Sequence, residues 1–187
     1  MRHKLQPGDF REQVLSSKVV YRGRAVRLRF DRVRLPNGRE TSREIIEHPG
    51  SVGILPLLAG NRVLLIRQYR HAVGETIWEI PAGTMEPGET PRGCAGRELE
   101  EETGYSAKSL APFFDCFPAP GYSMELMHVF LARGLTPTEQ KTEEDEIISV
   151  NPVTSERAFR MIESGQIRDA KTICALAYLR ASARRTR

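Results

Sequence analysis

Apolar and polar positions change their rhythm several times along the chain, and each rhythm predicts an element. Residues 18–48 read as antiparallel strands. Val19-Val20-Tyr21 is short and apolar, and Ala25–Phe30 alternates apolar with polar. Pro36-Asn37-Gly38 predicts a hairpin turn between Val33–Leu35 and Ser42–Glu47. Ser51–Leu58 and Val63–Tyr69 are apolar runs of strand length joined by the turn Ala59–Arg62. Ile77–Ile80 predicts a short strand that runs into Pro81-Ala82-Gly83. Then the period becomes helical. Thr90 suits an N-cap, Pro91 the first helical position and Gly104 the left-handed residue that ends the helix, so Pro91–Thr103 is the predicted span. Gly93 and Gly96 inside it each cost roughly 1 kcal/mol relative to Ala, which predicts close packing of another backbone there. Further strands are expected near Pro112–Phe117, Glu125–Ala132 and Ile147–Val150. Helices are expected over Ser155–Ser164, ended by Gly165, and over Ala170–Ala183, whose apolar face is Ile173, Leu176, Ala177 and Leu179. The pattern predicts a mixed sheet covered by helices, with residues 1–49 as a strand-rich N-terminal region and 50–187 as the main domain.

Composition narrows the class. The chain has 187 residues, 40% hydrophobic and 28% charged, enough to bury a core. Lys and Arg number 28 against 24 Asp and Glu, a net +4, and part of that excess is the tail Arg180, Arg184, Arg185 and Arg187. A basic tail suits nucleic acid, but no aromatic residues are interleaved with it, so no nucleic-acid partner is expected. No run approaches the ~18 apolar residues of a membrane span, and no apolar segment follows the basic start. Cys94, Cys116 and Cys174 are far apart and lack zinc-ligand spacing. Reduced thiols in a cytoplasmic protein with no membrane partner are the expectation.

The chemistry concentrates between Gly83 and Tyr105. Glutamates fill four of the five positions 98–102. At ~100° per residue, Glu98, Glu101 and Glu102 share one edge of the helix. Like charges so close repel, and two partners can offset them: Arg97, or a bound hard cation such as Mg²⁺ or Mn²⁺. A solvated acidic face is the plain alternative.

Gly83, Glu89, Arg97, Glu98, Leu99, Glu101, Glu102 and Gly104 match the spacing of the Nudix box, and the segment resembles that family's signature. Tyr105 departs from it, standing where the family prefers an aliphatic residue. The resemblance implies an α/β/α sandwich with a mixed sheet that binds divalent metal and hydrolyses a nucleoside diphosphate linked to another group. Here the sandwich would carry an N-terminal antiparallel β extension. Several further stretches resemble the ADP-ribose pyrophosphatase subfamily: Arg67-Gln68-Tyr69-Arg70, Glu79–Gly83, Ala119–Glu125 with His128–Ala132, Glu143–Glu146 and Arg43–Glu47. They imply Mg²⁺-dependent hydrolysis of ADP-ribose to AMP and ribose 5-phosphate. GDP-mannose or another nucleotide sugar is the alternative substrate, and a non-catalytic nucleotide sensor the alternative class.

Carried over residue by residue, the resemblance implies metal ligands at Glu98, Glu101, Glu102 and the carbonyl of Ala82. The general base would be Glu144 or Glu146, on a run that also reads as a charged surface loop. Arg70 would bind the diphosphate, or else form a salt bridge at the sheet edge. Arg43 and Glu44 would contact the nucleoside, or form a cross-strand pair. Ser123 and Glu125 would contact the remaining substrate, Glu125 binding the terminal ribose or a metal, or else a strand-face partner. Arg97 is expected to pair with the box carboxylates, Glu89 to be an outer ligand or a loop anchor, and Trp78 to pack in the core. The resemblance also implies a homodimer formed through residues 1–49.

Overall fold

The computed structural model describes residues 10–24, 26–142, 144 and 146–185. Ala25, Glu143, Asp145, Arg187 and the basic start Met1–Asp9, all used in the sequence reading, lie outside the described residues. The elements are β1 (Gln13–Arg22), β2 (Arg27–Arg34), β3 (Glu40–Glu47), β4 (Ser51–Leu58), β5 (Arg62–Arg70), β6 (Glu75–Glu79), β7 (Ala82–Thr84), α1 (Pro91–Thr103), β8 (Tyr105–Cys116), β9 (Met127–Pro137), β10 (Ile148–Thr154), α2 (Ser155–Glu163) and α3 (Ala170–Arg185).

The chain divides into two compact units. The first comprises Met1–Pro49 and Ala119–Glu125. Its three strands pair antiparallel in the order β1-β2-β3. The later segment joins through backbone hydrogen bonds, Ile46 N–H to the Tyr122 carbonyl (2.7 Å) and Met124 N–H to the Ile46 carbonyl (3.0 Å). The buried polar centre of this sheet is Asp31, which accepts from Ser17 Oγ (2.6 Å) and Arg29 Nε (3.0 Å). These partners hold its carboxyl below the ordinary range, the Ser17 hydroxyl most of all.

The second unit comprises Gly50–Pro118 and Leu126–Arg187. Its sheet runs β10-β5-β4-β9-β8, with β6 on β5 and β7 on β4. The β4–β9 pair is parallel and the others antiparallel, so the sheet is mixed. Both faces are covered, and the alternation of side chains shows how. Val52, Ile54, Phe130 and Ala132 point to one face and pack with Cys94, Ala95 and Leu99 of α1. Leu55, Leu65, Val129 and Leu131 point to the other and pack with Ala158, Met161, Ala175 and Leu176 of α2 and α3. This is the expected α/β/α sandwich. Cover on both sides explains why β4 reads as one unbroken apolar run. Leu99 is fully buried, and truncating such a side chain costs about 2–5 kcal/mol.

Three expectations need correction. Among the described residues no second backbone packs on Gly93 or Gly96. A Cβ at Gly93 would meet Thr90 Oγ1 at 3.1 Å, and one at Gly96 the Leu110 side chain at 3.7 Å. β8 begins at Tyr105 rather than near Pro112, because Lys108 and Ser109 both face solvent and the strand shifts register between Pro112 and Phe114. β1 is also longer than the apolar Val19–Tyr21, since most of its residues are exposed and no alternation marks it.

Candidate active site

Helix α1 positions the carboxylates. Thr90 caps it, accepting from Gly93 N–H (3.1 Å), and Gly104 ends it in the left-handed conformation at φ 69°. Between these stops Glu98 and Glu102 lie one turn apart, with Glu101 beside them. Gly83 of β7 faces Glu98, and a Cβ there would run into that carboxylate. Glycine there leaves room for the Glu98 carboxylate, which any larger side chain would have to displace.

Arg97 organises one side of the cluster. Its Nη1 donates to Glu98 Oε1 and to Glu101 Oε2, each at 2.8 Å, and its Nε to Glu89 Oε1 at 3.0 Å. Glu89 also accepts from Glu86 N–H (3.1 Å), which makes it a loop anchor in this arrangement. The Arg97 guanidinium holds the Glu89 carboxyl down to about 2. Burial pushes the Glu98 carboxyl up, against the pull of Arg97. Neighbouring Cys94 is buried, and its thiol is pushed up to about 12, so it is inert as a nucleophile.

Glu102 differs from its neighbours. It is 2% exposed, and Ala82 N–H donates to its Oε2 at 2.8 Å. Burial pushes its carboxyl up to about 8. The Ala82 N–H opposes the shift, the charges of Glu98 and Glu146 add to it, and Arg70 opposes it weakly. These mutual effects bring Glu98, Glu102, Glu146 and Arg70 into one electrostatic neighbourhood. Glu146 accepts from Gln68 Nε2 at 3.3 Å, whereas Glu144 stands exposed in a turn. Gln68 is 7% exposed, and its Oε1 is buried without a hydrogen-bond partner.

Arg70 forms the salt bridge that the sequence offered as its alternative role, and the wider network around it had no signal in the sequence. Its Nε donates to Glu79 Oε2 at 2.7 Å. Lys171 Nζ donates to Glu79 Oε1 at 2.5 Å and to Asp169 Oδ1 at 3.1 Å. Asp169 Oδ2 accepts from Thr172 N–H (3.0 Å) and Oγ1 (2.5 Å), and Thr172 Oγ1 in turn accepts from Ile80 N–H at 2.8 Å. Gln68 sits at an inward position of β5, and Glu79 is a buried acid, which needs a cation. Trp78 packs on the core with the Arg67 guanidinium 5.2 Å from its ring centre.

The remaining candidates lie in the first unit. Arg43 pairs with Glu12 at 2.5 Å and stands opposite Asp31, while Glu44 stands opposite Phe30. Ser123 Oγ accepts from Glu125 N–H at 3.2 Å, and Ser123 bridges to Ile46.

The chain matches two family models: the NUDIX domain over residues 47–176, and the nucleoside diphosphate sugar hydrolase N-terminal domain over residues 12–46. The protein belongs to the Nudix family. It is 42% identical over 170 residues to an ADP-ribose pyrophosphatase of Bacillus subtilis, covering 90% of this chain and 92% of that protein. It is 38% identical over 172 residues to a methanol dehydrogenase activator of Bacillus methanolicus, covering 91% and 93%. A solved structure titled "Crystal structure of ADP compounds hydrolase" superposes with a TM-score of 0.83 at 23% identity, over 94% of this chain and 95% of that one, and supports the fold.

Nudix hydrolases use divalent metal, and the donor set here fits a hard cation. It consists of carboxylate oxygens, and Glu102 among them is buried and offset by one backbone N–H. Among the described residues no three His, Cys, Asp or Glu side chains converge on one point as they stand. Arg97 Nη1 pairs with both Glu98 and Glu101, the cation that offsets their charges here.

Proposed function

We propose that this chain is a Mg²⁺-dependent hydrolase that cleaves ADP-ribose to AMP and ribose 5-phosphate. The observation that carries the reading is the acidic edge of α1 closed on β7, with Glu98 against Gly83 and Glu102 accepting from Ala82 N–H, while Arg70 is anchored on Glu79 just ahead of β7. That combination of acidic edge and adjacent guanidinium suits a diphosphate held with hard cations. The substrate comes from the Bacillus subtilis relative's name and from the match to a nucleoside diphosphate sugar hydrolase segment.

In this reading Glu98, Glu101, Glu102 and the Ala82 carbonyl hold the metal, with Mn²⁺ as a substitute. When bound, the metal neutralises the diphosphate and lowers the pKa of a water. Arg70 grips phosphate oxygens. Glu146 is the general base in preference to Glu144, because Gln68 on the rigid strand β5 holds it. Its Oε2 takes the proton of the attacking water, an oxygen–phosphorus bond forms, and the diphosphate bridge opens. Arg43, Glu44, Ser123 and Glu125 contact the nucleoside and terminal ribose.

The protein acts as a homodimer assembled through residues 1–49, in the cytoplasm. Its three cysteines are free thiols, and among the described residues no helix is long and apolar enough to cross a membrane. Light scattering on the intact chain should give about twice the monomer mass of 21.1 kDa; a monomer mass contradicts the assembly.

The deciding experiment incubates ADP-ribose, GDP-mannose and other nucleotide sugars with Mg²⁺ in ¹⁸O-water and identifies the products. AMP and ribose 5-phosphate formed fastest from ADP-ribose support the reading. Faster cleavage of another nucleotide sugar transfers the chemistry to that substrate, and binding without products makes the protein a sensor.

A further inference from the structure

Arg70 is held by a carboxylate that is itself held by a second cation. Glu79 is 2% exposed, yet both of its oxygens are occupied, Oε2 by Arg70 Nε and Oε1 by Lys171 Nζ. An acid this buried is tolerated because two cations meet it. Lys171 in turn is shared with Asp169, so two acids and two bases close a neutral group. The group is tied to the main chain at both ends. Asp169 caps the start of α3 through Thr172 N–H, and Thr172 Oγ1 accepts from Ile80 N–H, the residue after Glu79. Pro81 and strand β7 follow directly, and Ala82 of β7 carries the N–H that meets Glu102.

The consequence falls on Arg70. Its Nε is spent on Glu79, its side chain is 37% exposed, and among the described residues Nη1 and Nη2 have no partner. A guanidinium anchored through Nε presents its outer Nη edge in a fixed direction, the arrangement that suits two oxygens of a phosphate. An unanchored arginine would lose rotamer freedom on every binding event.

We propose that Glu79 is a positioning residue for diphosphate recognition. With Lys171 and the Asp169–Thr172 start of α3, it forms a brace that aims Arg70 at the substrate. This rests on the reading of Arg70 as the diphosphate ligand. Its specific content is that the start of α3, about 100 residues from Arg70 in sequence, sets substrate affinity without touching substrate.

The test is a mutant cycle on the full-length protein. Glu79→Gln alone leaves Lys171 and Arg70 short of a counter-charge and lowers stability. The double variant Glu79→Gln/Lys171→Met removes one charge of each sign and keeps the group neutral. The brace predicts that this double variant folds with a cooperative melt, raises KM for ADP-ribose about tenfold, and changes kcat less than about threefold. The same two substitutions placed on Arg70→Ala should raise KM less than about twofold further, since the residue they act through is gone. Calorimetric titration with ADP, without metal, should show the same non-additivity. Wild-type KM in the double variant overturns the proposal, as does an equal effect with and without Arg70. If the wild-type protein leaves ADP-ribose intact, the proposed substrate falls, and the ADP titration still decides whether Glu79 acts through Arg70.

Discussion

Two buried glutamates, Glu79 at the end of β6 and Glu102 on α1, make an instructive pair. Glu79 and Glu102 are each 2% exposed, and the backbone between Ile80 and Gly83 separates their attachments. Glu79 meets Arg70 and Lys171 at its two oxygens. Glu102 meets one backbone N–H, with Glu98 and Glu146 adding negative charge nearby. Burial is the same and compensation differs. One buried acid has two cations and the other a single amide, which fits a structural role for Glu79 and the proposed metal-binding role for Glu102. Desolvating a carboxylate costs several kcal/mol, so the under-compensated one marks where function outweighs stability.

The sharpest way to break this comparison is the same substitution at both positions. Glu102→Gln should cut turnover about a thousandfold if, as proposed, its carboxylate is a metal ligand. Its melting temperature should stay level or rise, because a buried, poorly compensated charge is gone. Glu79→Gln should do the reverse, lowering stability by about 2–4 kcal/mol through two cations left short of a partner. Turnover should fall far less. Thermal melts and steady-state kinetics on both variants check this, and equal losses of stability would erase the distinction.

A smaller effect separates the loop acids. Glu146→Gln should slow turnover about a hundredfold with little change in KM, and Glu144→Gln should be near wild type. Activity lost equally in both would mean that the hydrogen bond from Gln68 does not select the base.

The box helix was legible because its signals are local. Thr90, Pro91 and Gly104 mark its ends, and the helical period places three glutamates on one edge. The two faces of the main sheet were legible in part, since β4 and β5 are apolar enough to declare themselves. The brace around Glu79 was not, because Lys171 and Asp169 lie some 90 residues downstream and nothing local pairs a charge with a partner that far away. Nor was the reason for Gly83, which is set by a side chain on another element. The first half of β8 was hidden for a different cause. Tyr105–Ser109 has no clean alternation of buried and exposed positions, and the register shift further along breaks the period.

The smallest expected effect lies in the first unit. Asp31 has a carboxyl held below its ordinary value of 3.8 by Ser17 and Arg29. Its contribution to stability is therefore present above that ordinary value and is lost as pH falls through the lower folded one. Asp31→Asn should flatten the acid side of the stability profile while leaving the neutral side lower throughout. A profile parallel to wild type would show that this group does not govern it.

The central claim is that the edge formed by Glu98, Glu101 and Glu102 binds hard cations while the equally buried Glu79 does not. Mn²⁺ titration followed by electron paramagnetic resonance tests it on three proteins: wild type, Glu102→Gln, and Glu79→Gln/Lys171→Met. The account predicts Mn²⁺ binding at least about tenfold weaker in the first variant and unchanged in the second. Identical binding in wild type and Glu102→Gln would contradict it.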